Sequence, residues 1–125
     1  MLRGAVDEIL MHDGELILLD FKTRGFPIKD DAHKSYQDQL NIYRFLLVKN
    51  GYKVSKNGYL LFFHPVTITD DGKFIFKTEV VEVKLDADDG EKLFNNAVKI
   101  LEGRMPAASK DCGFCKWHGE MKAYA

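Results

Sequence analysis

The chain has 125 residues, 46% of them apolar and 30% charged, with a net charge of -1. This is the length and composition of one ordinary globular domain with a core of moderate size. It excludes a global basic field as the basis of nucleic-acid binding, although a local patch can still hold phosphate, and no apolar run is long enough to span a membrane.

Gly4 to Met11, GAVDEILM, predicts a strand, and Glu15 to Lys22 predicts a second. Asp13-Gly14 between them is a hairpin signal. From Asp31 to Asn50 the period changes. Tyr36, Leu40, Tyr43 and Leu47 follow helical spacing, and Asn50-Gly51 marks the stop. Tyr59 to His64, YLLFFH, reads as a buried strand bounded by Asn57-Gly58 and Pro65, and Lys73 to Leu85 alternates as a strand at a sheet edge. Asp86 suits the N-cap of a last helix, with acids in its first turn and a stripe of Leu93, Phe94, Ala97, Ile100 and Leu101. Residues 104–125 show no period and predict an irregular tail around a single C-x-x-C. The order predicts a single domain over residues 1–125, of mixed α/β layout with an antiparallel opening. With no secretion signal, the two cysteines are expected as reduced thiols in a cytoplasmic protein without a membrane partner.

A two-residue turn at Asp13-Gly14 sets Met11 opposite Leu16, Ile9 opposite Leu18 and Asp7 opposite Asp20. Lys22, two residues past Asp20, points to the same face. Opposed like charges destabilise a sheet, and burial makes this worse. Either these acids sit at an exposed sheet end with Lys22 neutralising one, or a divalent cation lies between them. Magnesium takes hard oxygen ligands, commonly one or two carboxylates. Lys22 could then orient or help deprotonate the attacking water, or stabilise charge on a phosphate.

GAVDEI, LLDFKTRG and QLNIY resemble, in order, the three motifs of the PD-(D/E)XK nuclease superfamily. The resemblance is nearest to its RecB-like branch, which includes CRISPR-associated exonucleases and helicase-fused nuclease domains. The motifs are G-x-x-D at Gly4 to Asp7, D-x-K at Asp20 to Lys22, and Q-x-x-x-Y at Gln39 to Tyr43. The resemblance covers the chain to about Pro65. It implies a restriction-endonuclease-like α+β core with a mixed sheet. It implies magnesium or manganese held by Asp7, Asp20 and the backbone carbonyl of Phe21, a residue read as buried. Lys22 would be the catalytic lysine, and Gln39 and Tyr43 would position the substrate backbone. Tyr43 also reads as a core aromatic on its stripe, but Gln39 there is harder to explain, because a buried amide needs partners, and the functional role is favoured for the pair. The implied activity is metal-dependent hydrolysis of DNA, single-stranded or with free ends, in repair, recombination or a CRISPR-type role. A helicase, another protein or a second copy is the implied partner.

Two departures bear on that reading. The family usually has a helix before the hairpin, often with a further His or Glu ligand; the expectation is that this chain is a fragment, receives that helix from elsewhere, or has lost it. A second reading is therefore a catalytically inactive nuclease-fold module that binds nucleic acid or serves an assembly. The tail CGFCKW also resembles the end of an iron–sulfur motif that needs four cysteines. Cys112 and Cys115 are a half-site for a cluster or zinc, with His118 as a third ligand, or else two plain thiols; a small metal- or redox-binding protein is the third reading. Phe114 and Trp117 are expected to pin the tail. Arg24, Lys29 and Lys34 follow the D-x-K motif as solvated charges or as guides for a DNA backbone. His12, His33 and His64 read as surface or strand-end residues, His33 being of interest because its helix carries Gln39 and Tyr43.

Overall fold

The computed structural model describes residues 1–27 and 31–122. Where the sequence predicts one domain with an irregular tail, the chain divides into two units, Met1–Asn95 and Asn96–Ala125.

In the first unit, Asp13 and Gly14 adopt φ angles of 48° and 76°. Two positive φ values in a row make a tight turn whose twist matches that of the flanking strands. It joins β1 (Glu8–His12) to β2 (Glu15–Thr23) in the expected register, Met11 with Leu16 and Ile9 with Leu18. The first strand, expected from Gly4, begins at Glu8, so the ladder ends one pair short of Asp7 and Asp20. The reason is local. Phe21 N–H donates to the carboxylate of Asp7 at 2.9 Å, so a side chain takes the place of a backbone acceptor.

The following helix begins as a 3-10 turn over Ala32–Tyr36 and becomes α1 at Gln37–Lys49. Its crossover lets β3 (Asn57–Ile68) join β2 in parallel, and β4 (Phe74–Lys84) returns antiparallel as an edge strand. The sheet order is β1-β2-β3-β4, a mixed four-stranded sheet in an α+β fold, as the sequence predicts. Alternation along the strands puts Leu18, Leu60, Phe62 and Val83 on one face, where they form the core with Leu40 of α1, Val54 and Leu85. Asp20 pairs with Leu60, and Lys22 with Phe62, so the D-x-K residues share that face.

α2 (Ala87–Glu102) starts at the expected cap, Asp86 Oδ1 accepting from Asp88 N–H at 2.8 Å. Gly90 is required there. A Cβ at that position would lie 2.3 Å from the carbonyl oxygen of Asn41, so the start of α2 rests on the backbone of α1. Phe94 adds a ring contact with Phe45, centroids 6.4 Å apart. In the second unit, the stretch expected to be irregular contains α3 (Gly113–Met121). Its cap is the sulfur of Cys112, which accepts from Cys115 N–H at 3.3 Å. Phe114 and Trp117, expected as anchors, are 86% and 58% exposed. No helix among the described residues is long and apolar enough to cross a membrane.

Candidate active site

Asp20 is 2% exposed, and the ammonium of Lys22 closes on its Oδ2. The contact is an ion pair without hydrogen-bond geometry; no donor among the described residues satisfies that oxygen. The pair is bought out of water at a desolvation cost that Coulomb attraction alone does not always offset. Lys22 has further support. Its Nζ donates to Gln39 Oε1 at 3.0 Å and stands 4.6 Å from the centre of the Tyr36 ring. Gln39 in turn donates through Nε2 to Tyr43 Oη at 2.8 Å. A polar chain therefore runs from Asp20 through Lys22 and Gln39 to Tyr43, tying β2 to one face of α1.

Gly4 closes this arrangement from the other side. A Cβ there would lie 2.9 Å from Cε1 of Tyr43, so the tyrosine ring occupies the space that any other residue would fill. The glycine of G-x-x-D thus packs directly on the tyrosine of Q-x-x-x-Y. At the opposite end of the same motif, the Asp7 carboxylate receives Phe21 N–H. A strand residue's N–H and C=O point to the same edge, so the Phe21 carbonyl also faces the Asp7 side. Phe21 itself is not buried, as the sequence suggested, but 43% exposed, its ring edge-on to Phe63 on the outer face of the sheet. Alternation demands this, because Asp20 and Lys22 take the inner face.

The donors fit a hard divalent cation in kind. They are two carboxylates and a backbone carbonyl, and one carboxylate oxygen is buried with only an ammonium against it. Among the described residues no three His, Cys, Asp or Glu side chains group as metal ligands, and this holds for Cys112, Cys115 and His118 as well. Those three line a groove of about 560 Å³ in the second unit. Bonding from the Cys115 thiol and backbone lowers the pKa of Cys112 below the usual thiol range, and the same partnership raises that of Cys115.

A family model described as the PD-(D/E)XK nuclease superfamily matches residues 1–119. The chain belongs to this superfamily. No curated protein and no solved structure matches. Superfamily members are hydrolytic nucleases that act on nucleic acid and typically use Mg²⁺ or Mn²⁺. The mixed sheet and helices of this chain are consistent with their restriction-endonuclease-like core.

Of the candidate nucleic-acid contacts, Arg24 is half-buried and donates to Tyr36 Oη at 3.3 Å. Lys34 is exposed on the 3-10 turn, and Lys29 lies outside the described residues. His33 is half-buried and has no side-chain bond to the site among the described residues. Two features were not foreseen. Tyr36, expected only as a stripe residue, forms an aromatic wall for both Lys22 and Arg24. His64, expected at the surface, is 4% exposed on the same sheet face as Phe62. The alternation of YLLFFH could have found it, since His64 keeps the phase of Leu60 and Phe62.

Proposed function

We propose that this chain is a metal-dependent nuclease domain of the RecB-like branch. It hydrolyses DNA phosphodiester bonds in single strands or at free ends, in a repair, recombination or CRISPR-type role, and acts in the cytoplasm. What carries this reading is the run of contacts from buried Asp20 through Lys22 and Gln39 to Tyr43, with Asp7 beside the Phe21 amide.

Asp7, Asp20 and the Phe21 carbonyl would hold magnesium or manganese, which when bound there polarises the phosphate and makes water a better nucleophile. Lys22 supplies positive charge where charge develops on the phosphate, and its donors orient the attacking water. It has tethers other than Asp20, the Gln39 carbonyl and the Tyr36 ring, so it stays in the site when the carboxylate turns to another cation. Gln39 links Lys22 to Tyr43, and the tyrosine hydroxyl is the group that meets the substrate backbone.

The test is a manganese titration by calorimetry, run beside a cleavage assay on end-labelled single-stranded DNA, for wild type and Asp20→Asn. Wild type should bind manganese and cut the DNA. Asp20→Asn should lose measurable binding and at least about 100-fold in rate, comparable to removing one preorganised charge-stabilising group. Identical titrations for the two proteins would reject the site.

A further inference from the structure

The inner face of the sheet does not end at Lys22. Thr23 pairs with Phe63, and Arg24 N–H donates to Phe63 O at 2.9 Å, so β2 keeps its register on β3 for one residue beyond the strand. Arg24 and His64 are thereby neighbours, one row along from Lys22 and Phe62. The guanidinium lies 5.6 Å from the Phe62 ring and 5.7 Å from the Tyr36 ring, the same ring that Lys22 faces. Its one side-chain bond is to the Tyr36 hydroxyl, and no carboxylate among the described residues pairs with it. Aromatic rings lie near the guanidinium, and its N–H groups beyond the one given to Tyr36 are unpaired among the described residues.

His64 poses the complementary question. Its side chain is 5% exposed, and Nδ1 is buried without a hydrogen-bond partner among the described residues. The nearest acid, Glu79 Oε1, is 3.6 Å away and 3.4 Å from Lys77 Nζ, so it is shared and beyond bonding distance. An unpaired nitrogen in a core strand destabilises the fold, and an apolar side chain would serve packing better.

We propose that Arg24 and His64 form an anion subsite that takes a phosphodiester adjacent to the one at Lys22. Arg24 makes the contact. His64 is a positioning residue, the polar floor beside it. Residues two apart on a strand are separated by roughly 6.6 Å, a gap that consecutive phosphates of a flexible single strand can bridge. The proposal rests on the nuclease reading for the place of the first phosphate, but its test does not depend on cleavage.

The experiment is fluorescence anisotropy of a labelled 15-nucleotide oligothymidylate in EDTA over a range of salt, with thermal melts alongside. Arg24→Gln should bind several-fold more weakly, with the slope of log affinity against log salt reduced by about 0.7, one single-strand phosphate contact. His64→Leu should melt at or above the wild-type temperature and still bind several-fold more weakly, and His64→Gln, which keeps a donor, should recover part of the loss. A role confined to packing would lower melting and leave binding intact, and that result overturns the proposal. So does wild-type affinity and slope for Arg24→Gln. If Asp20→Asn abolishes cleavage while Arg24→Gln binds normally, the subsite fails and the nuclease reading stands. If no metal supports cleavage while both variants bind weakly, the nuclease reading fails and the subsite stands.

Discussion

At the scale of single residues, the site sets a buried carboxylate against a mostly buried ammonium. Asp20 is 2% exposed, and the Lys22 side chain 16%. Removing one member of such a pair leaves the other charge buried without compensation, which costs about 3–5 kcal/mol. Lys22→Met should therefore melt well below wild type. The same substitution bares the Asp20 oxygen, so added manganese should raise the melting temperature of Lys22→Met more than that of wild type. Scanning fluorimetry with and without the metal checks both statements, and equal manganese shifts would deny Asp20 its place as a ligand. The thiols of the second unit invite a separate measurement. The Cys115 thiol, bonding to the Cys112 sulfur, stabilises the Cys112 thiolate and holds its pKa down, while that of Cys115 is pushed up. Alkylation needs the thiolate. As pH is lowered, Cys115 should lose reactivity toward iodoacetamide first and Cys112 should keep it, a difference that peptide mass spectrometry can follow. Parallel loss at both positions would contradict the helix-capping geometry of Cys112.

At the scale of elements, the three short motifs meet through backbone shape as much as through side-chain chemistry. Gly4 lies on Tyr43, and the carboxylate of Asp7 caps the edge of β2 at Phe21. Gly4→Ala must move the tyrosine ring, because the new Cβ would lie 2.9 Å from it. The Gln39–Tyr43 bond then stretches, and with it the support of Lys22. Cleavage should fall on the order of 10- to 100-fold, the effect of misplacing a catalytic group by about an ångström. The melting temperature should fall less than for a core truncation, because the overpacking is confined to one ring. Unchanged kcat in Gly4→Ala would mean that the ring position is irrelevant to the chemistry. The hairpin, the helix with Gln39 and Tyr43, and the edge strand were legible in the sequence because each carries a local signal: Asp13-Gly14, a helical stripe, an alternating run. β3 was legible only in its middle, since Asn57-Gly58 and Pro65, read as its bounds, lie within Asn57–Ile68. Asp7 was legible as a partner of β2 but not as a cap, since its side chain replaces a backbone acceptor. α3 was not legible. A cysteine sulfur caps it, and Gly113 and Gly119 lower its intrinsic propensity. The burial of His64 was legible in the alternation of its strand, where it keeps the phase of Leu60 and Phe62, but not from its position next to Pro65, which reads as a strand end.

At the scale of the whole molecule, a net charge of -1 and a sequence pI near 6.4 must be reconciled with a polyanionic substrate. Several acids and bases pair on the surface, among them Lys49 with Glu91, Lys53 with Glu15, Lys84 with Glu82 and Lys92 with Asp89. Such exposed pairs add little to stability, but they cancel the far field that would otherwise draw nucleic acid to many faces at once. Close to the D-x-K motif, the cations Lys22, Arg24 and Lys34 lie along one stretch of chain. If these three supply the phosphate contacts, the slope of log affinity against log salt for single-stranded DNA should be close to about -2, at roughly 0.7 per phosphate. A wholly basic binding face would give a steeper line. The comparison is made with the wild-type chain in EDTA, and a slope much steeper than this would show that DNA lies across a broader surface than the D-x-K face. A slope near zero would show that the backbone phosphates are not what the protein holds. Between these limits, local cations on a neutral protein give weak affinity for DNA in general, so selection of where to cut falls to the geometry at Lys22, Gln39 and Tyr43.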